Sequence, residues 1–129
     1  VFEANPEFLD GEKLKILKEA GVHWLVLGVQ SLDDDVIRRT GRVQRRAQVE
    51  RAYREARKAG IPYIAFDLMY GLEGQTERGF MADIRTLADW KPDRIEMYEF
   101  SPTKCTLFSR RGGILSPKRR QEIKKLIGI

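Results

Sequence analysis

Residues 61–76 read IPYIAFDLMYGLEGQT, and this stretch decides the fold. Ile64, Phe66 and Leu68 alternate with Tyr63, Ala65 and Asp67 at the period of a β-strand, so Asp67 points away from the apolar set. A carboxylate in that position calls for a charged partner or a ligand. The run then breaks at Gly71 and Gly74, and a helical period begins at Thr76. The order of strand, polar residue near the strand's C-terminal end, loop and helix recurs on both sides.

Toward the N-terminus, a helical stretch carries Val49, Ala52, Tyr53 and Ala56 on one face and stops at Gly60. Before it, Asp33, Asp34 and Asp35 open a short helix, where negative charge suits the helix dipole; they are read as dipole partners, not as a metal site. Residues 24–29 form a nearly continuous apolar run, as expected for a parallel strand covered on both faces, and the run ends in Gln30 and Ser31. Further back, Asp10 is a candidate N-cap for a helix striped by Leu14, Leu17 and Ala20, after a turn at Asn5 and Pro6. Residues 1–3 read as the end of a strand, so the chain's start reads as a cut. Toward the C-terminus, Thr76 caps a helix striped by Phe80, Ile84 and Leu87, and Pro92 and Asp93 lead into a last strand over residues 94–100. After Pro102 the rhythm ends, and Ser116 and Pro117 suit the start of a final helix with Ile123, Leu126 and Ile127.

The resulting β-α-β-α-β-α-β order predicts parallel strands joined by right-handed crossovers. No G-x-G-x-x-G follows any strand, which argues against a dinucleotide-binding unit. The fold class is therefore α/β, a partial parallel (β/α) barrel over residues 1–102 with a basic helical extension over 103–129. A whole barrel needs on the order of 200 residues or more. An open half exposes strand edges, so the chain is expected to be part of a larger protein or to pair with another chain. Alone it should be marginally stable or associate through its edges; a monomeric two-state unfolding transition would contradict that.

Composition narrows the function. The 129 residues suffice for one domain with a core. No apolar run approaches the roughly 20 residues of a membrane span, and no signal peptide is evident. The single cysteine, Cys105, permits neither an intrachain disulfide nor a Cys-rich metal site, which fits a reducing, cytoplasmic compartment. It reads as a small packing residue, and the single histidine, His23, as a surface residue at a strand start. The net charge of +5 is concentrated in residues 104–129, which hold eight basic side chains and one acid. A solvated helix face or a subunit contact explains that tail, and nucleic acid is not the expected partner.

Ligands of parallel barrels and sheets sit at the strands' C-terminal ends. Glu3, Gln30, Ser31, Asp67, Glu96, Tyr98 and Glu99 all fall there, and Arg42 lies in the connection after Gln30. Two acids, an amide and an arginine suit a ligand with vicinal hydroxyls and a carboxylate. The alternative is that Glu3 or Asp67 is a buried structural partner of Arg42.

Four motifs carry a family resemblance: Glu3-Ala4-Asn5-Pro6, Gly28-Val29-Gln30-Ser31, Gly41-Arg42, and Asp67-Leu68-Met69-Tyr70-Gly71-Leu72 with Gly74-Gln75-Thr76. In this order, over residues 1 to about 102, they resemble radical S-adenosylmethionine enzymes, in particular the oxygen-independent coproporphyrinogen III oxidases and their haem-chaperone relatives. The resemblance implies strands three to six of a (β/α)6 barrel. That barrel holds S-adenosylmethionine against a [4Fe–4S] cluster, whose reduction cleaves the sulfonium to a 5′-deoxyadenosyl radical. It further implies that Glu3, Gln30, Arg42 and Asp67 are S-adenosylmethionine-binding positions, Glu3 serving one of the two molecules that the oxidases bind and the other three the second, and that Glu99 is a further such position, where the family uses a backbone group.

The family's C-x-x-x-C-x-x-C loop would lie before Val1, so the cluster is expected on residues outside this chain. Trp24 stands where the family usually has Arg, Gln44 where it often has His, and Glu73 where Pro is common. The implied partners are the remainder of the barrel and a small-molecule substrate such as a porphyrinogen, for which Arg110 and Arg111 are a candidate contact surface; no membrane is expected. No residue is assigned a catalytic role. A βα scaffold without the chemistry, or a haem-binding chaperone of the same fold, is the competing reading.

Overall fold

The computed structural model describes residues 1–101 and 116–127. Strands β1 (Phe2–Ala4), β2 (Trp24–Gln30), β3 (Tyr63–Tyr70) and β4 (Arg94–Glu99) form one parallel sheet in the order β1-β2-β3-β4. A 3-10 turn (Pro6–Phe8) and helices α1 (Gly11–Glu19), α2 (Asp34–Arg39), α3 (Arg46–Lys58) and α4 (Glu77–Asp89) fill the crossovers, and α5 (Pro117–Ile127) follows. Because each strand lies beside the next in sequence and the crossovers share one hand, their helices gather on one face. That is the winding of a barrel wall; a doubly wound sheet would reverse its strand order. Edge strand β1 pairs on one side only among the described residues, with Val1 and Phe2 exposed.

Alternation within each strand separates the two faces. Leu25, Leu27 and Val29 of β2 and Ile64, Phe66, Leu68 and Tyr70 of β3 join Leu14, Val49, Ala52, Ala56, Phe80 and Leu87 from the helices in one core. The Tyr53 hydroxyl donates to the Trp90 carbonyl at 2.7 Å while its ring lies against Phe66, so one side chain ties α3 to β3 and to the end of α4. Coverage of β2 on both faces is the expectation that fails. Its core side chains meet helices, whereas Val26 and Gly28 face an open cleft, because single winding leaves that side without helices. The stripe of α1 also shortens: Leu14 is buried and Leu17 partly so, but Ala20 is the exposed C-cap.

The predicted caps form: Asp10 accepts from Lys13 N and Thr76 from Gly79 N. Asp33, read only as a dipole partner, is a cap as well, accepting from Asp35 N and Val36 N. Asp34 accepts from Arg46 N at 2.8 Å, so the acid following the Asp33 cap satisfies the start of α3 as well. The loop after β3 is fastened by buried Gln75, whose Oε1 accepts from Gly71 N (2.9 Å) and Leu72 N (3.3 Å) and whose Nε2 donates to the Met69 carbonyl (2.9 Å). Gly74 has φ 78, a left-handed backbone that favours glycine, and the exposed Arg39 side chain lies over it. The final helix starts at Pro117 as predicted; Cys105, Arg110, Arg111 and the side chains of Ile123, Leu126 and Ile127 lie outside the described residues.

Candidate functional site

The face free of helices carries the polar residues of the strand ends. Glu3, Ala4, Asn5, Val26, Gly28, Gln30 and Asp67 line a cleft of about 350 Å³. Register explains the convergence: Gly28 pairs with Asp67 and Asp67 with Glu96 at one level, while Glu3 of β1, paired with Val26, lies two residues below them on the same face. Gly28 keeps the floor open. A Cβ there would lie 3.4 Å from Asn5 Oδ1 and 3.6 Å from Gln30 Nε2.

Asp67 Oδ1 and Gln30 Oε1 are both buried and have no hydrogen-bond partner. An unpaired buried acceptor costs free energy, so two of them on one cleft favour a ligand that brings donors. The Asp67 carboxyl is pushed up to about 6 by burial first, then by the charges of Glu96 and Glu3. Beside it, Glu96 pairs with Arg94 Nε at 2.9 Å and accepts a short hydrogen bond from the Tyr98 hydroxyl. That bond, then burial and the neighbouring acids, raises the Tyr98 phenol to about 12.

Gln30 has an uncommon backbone, with φ 66. Ser31 N donates to the Val29 carbonyl at 2.8 Å, closing a γ-turn around it, and the β2–β3 register shifts between Gly28 and Gln30.

Arg42 approaches from the loop before α3. Its Nη2 donates to the Gly28 carbonyl at 2.9 Å and meets Glu7 Oε2 at 3.4 Å. The structural partner weighed for Arg42 is thus Glu7, with a side chain only 5% exposed, and neither Glu3 nor Asp67. Sequence reasoning missed Glu7; its one signal is an acid inside the Pro6–Phe8 turn that directly follows β1.

Two residues grouped with the mouth lie elsewhere. Glu99 sits beside Tyr70 in register, on the core face, and its carboxylate is 2.8 Å from Lys124 Nζ of α5. Strand alternation turns its side chain from the cleft. Ser31 is buried and donates to Asp83 Oδ2 at 2.7 Å, tying the end of β2 to α4. Trp24 packs edge-on to Tyr63, ring centroids 4.8 Å apart, and Glu73 lies 3.6 Å from Arg39. His23 is exposed at the start of β2, as expected.

The sequence profile of the Radical SAM superfamily matches residues 1–87. The chain belongs to that superfamily. It is 38% identical over 123 residues to the haem chaperone HemW of Bacillus subtilis, covering 93% of this chain and 32% of that protein. Over 99 residues it is 32% identical to the oxygen-independent coproporphyrinogen III oxidase of Helicobacter pylori, covering 77% of this chain and 22% of that one. The structure of coproporphyrinogen III oxidase HemN of Escherichia coli, a radical SAM enzyme, superposes with a TM-score of 0.85 at 25% identity, over 97% of this chain and 30% of that chain. The chain thus spans about a third or less of these relatives, and its fold is part of a radical SAM barrel.

S-adenosylmethionine and a [4Fe–4S] cluster are the cofactors of this superfamily, and the two fare differently against the residues present. The orphaned acceptors of Asp67 and Gln30, set among carboxylates, suit a cationic ligand rich in donors, which S-adenosylmethionine is. The cluster does not fit this chain. A single cysteine cannot supply its thiolates, and no group of three metal-ligating side chains exists among the described residues, so the cluster's ligands lie outside it. No described helix is long and apolar enough to cross a membrane.

Proposed function

We propose that this chain is the later part of the barrel of a longer radical SAM protein, residues 1–102 forming barrel and 103–129 the start of an extension, and that its cleft binds S-adenosylmethionine. The observation carrying this reading is the pair of buried, unpartnered oxygens, Asp67 Oδ1 and Gln30 Oε1, on one cleft of a superfamily member. Asp67 and Glu3 accept hydrogen bonds from hydroxyl or ammonium groups, and their charge favours the sulfonium. The Gln30 amide accepts and donates. Arg42 does not line the cleft; it commits Nη2 to Glu7 and to the carbonyl of Gly28, a lining residue, and its other N–H groups are left for the cofactor's carboxylate. Bound beside the cluster, the cofactor supplies one-electron chemistry; this chain's share is to bind and orient it.

For the longer protein, the tetrapyrrole relatives point to a porphyrinogen or haem as the ligand, in a cytoplasmic setting. HemW-like haem handling has the wider support, since that relative matches 93% of the chain at 38% identity against 77% at 32% for the oxidase. The test is equilibrium dialysis of S-adenosylmethionine against the anaerobically reconstituted full-length protein and its Asp67→Asn variant. Saturable binding that weakens by about tenfold or more in the variant, beyond the ~1 kcal/mol of an ordinary neutral hydrogen bond, supports the site. Equal binding by both, or by neither, returns the chain to the scaffold reading. Haem titration and assay of coproporphyrinogen decarboxylation on the same preparation separate the two tetrapyrrole roles.

A further inference from the structure

The γ-turn at Gln30 is held from outside the cleft. By register Gln30 lies opposite Leu68, whose side chain faces the helices. Its left-handed φ turns the amide back toward the cleft instead, where it lies against Gly28. Such a backbone is costly for a residue with a Cβ, and it persists only where its surroundings over-determine it. Two buried side chains do so. Gln44 Nε2 donates to the Val29 carbonyl at 2.7 Å and reaches the Ser31 carbonyl at 3.4 Å, bracketing Gln30. From α4, Asp83 Oδ2 accepts from Ser31 Oγ at 2.7 Å and from Leu32 N at 3.1 Å, while Ser31 Oγ accepts from Asp33 N at 3.1 Å. Gln44 and Asp83 are 2% and 6% exposed, and neither lines the cleft. A buried carboxylate is a costly way to fasten a loop whose only product is a strained residue.

We propose that Gln44 and Asp83 are positioning residues: they hold the strained turn at Gln30 and thereby set the cleft's affinity for its ligand without touching it. This rests on the reading of the cleft as an S-adenosylmethionine site. Gln44 acts through the carbonyls on either side of Gln30, and Asp83 through Ser31 and Leu32, so their influence on the ligand passes through the Gln30 side chain.

That routing is testable as a double-mutant cycle, with S-adenosylmethionine binding to the full-length protein measured by equilibrium dialysis. Gln30→Ala and Gln44→Met each weaken binding by about tenfold, and the double variant binds no more weakly than Gln30→Ala alone. Unchanged affinity in Gln44→Met, or losses that multiply in the double variant, overturns the proposal. A second series decides the matter if Gln44→Met does not fold. Asp83→Ala removes the acceptor and weakens binding, whereas Asp83→Asn keeps an oxygen for Ser31 Oγ and Leu32 N and restores it. Wild-type affinity in Asp83→Ala, or an Asn variant as weak as Ala, overturns the proposal. If Asp67→Asn and Gln30→Ala both bind like wild type, the cleft reading falls and this inference with it; if those two lose affinity while Gln44 and Asp83 variants do not, this inference alone falls.

Discussion

The two faces of β3 are finished to different degrees. On one, Ile64, Phe66, Leu68 and Tyr70 are at most 3% exposed and pack into the core beneath the helices. On the other, Asp67 carries an oxygen with no partner, and the charges that act on it are the like charges of Glu96 and Glu3. The first face gains stability from every side chain it buries. The second sets like charges near one another where water is scarce, which costs stability and makes sense where a ligand supplies the missing donors and the opposite charge. Substitutions on the two faces of one strand should therefore separate folding from binding.

The largest effect belongs to the core face. Phe66→Ala removes a fully buried ring that touches both Tyr53 and Trp90, and should cost about 3–5 kcal/mol, read as a lowered denaturation midpoint of the full-length protein. The fraction still folded should bind S-adenosylmethionine unchanged. An unmoved midpoint would break the comparison at its stable side.

Asp67→Asn should do the reverse. Its affinity for S-adenosylmethionine falls by about tenfold or more while its midpoint at neutral pH stays level or rises, because the amide no longer repels Glu96 and Glu3. A variant that loses stability and affinity together would mean that Asp67 is structural.

A smaller effect sharpens the comparison at Gln30. Glycine adopts φ 66 without the Cβ penalty, so Gln30→Gly should be more stable than Gln30→Ala by about 1–2 kcal/mol, while both lose the amide and bind equally weakly. Equal stability of the two variants in chemical denaturation would show that the turn stores no strain.

What the sequence made legible follows from which signals are local. The period of residues 63–68, the caps at Asp10 and Thr76 and the glycines at 71 and 74 act within a few residues, so strands, helices and parallel order could be read directly. The convergence of Glu3, Gln30 and Asp67 could be read too, because parallel strands in sequential order align their C-terminal ends. Long-range partners could not. Nothing near Arg42 points to Glu7, 35 residues away, nor anything near Ser31 to Asp83, 52 residues away. Asp83 stands between the apolar positions Phe80, Ile84 and Leu87 of an amphipathic helix, where an acid reads as a solvated residue until the end of β2 is seen to lie against it. Glu99 shows a related limit: its place at a strand end is local, but one step of alternation puts its carboxylate on the core face, beside Lys124. The left-handed φ of Gln30 has no sequence signature, since no glycine occupies the position.

The smallest expected effect is a pair of opposing pH slopes, and it tests the cleft face most directly. The Asp67 carboxyl titrates at about 6 in the folded chain, against an ordinary value of 3.8. The folded state therefore binds the proton more tightly than the unfolded one, so this group's contribution to stability is fully present below 3.8 and is lost as pH rises through about 6. Binding runs the other way. A ligand that needs the ionised carboxylate is held less tightly as pH falls through about 6, and the Tyr98 phenol, at about 12, does not titrate in this window. S-adenosylmethionine affinity of the full-length protein, followed by dialysis from about pH 5 to about pH 8, should rise with pH, while the stability advantage of Asp67→Asn over wild type should grow over the same range. In Asp67→Asn the affinity slope should vanish over the same pH range in which its stability advantage grows, because one ionisation drives both. If the Asn variant keeps the affinity slope, the Asp67 carboxylate is not the group whose ionisation holds the cofactor.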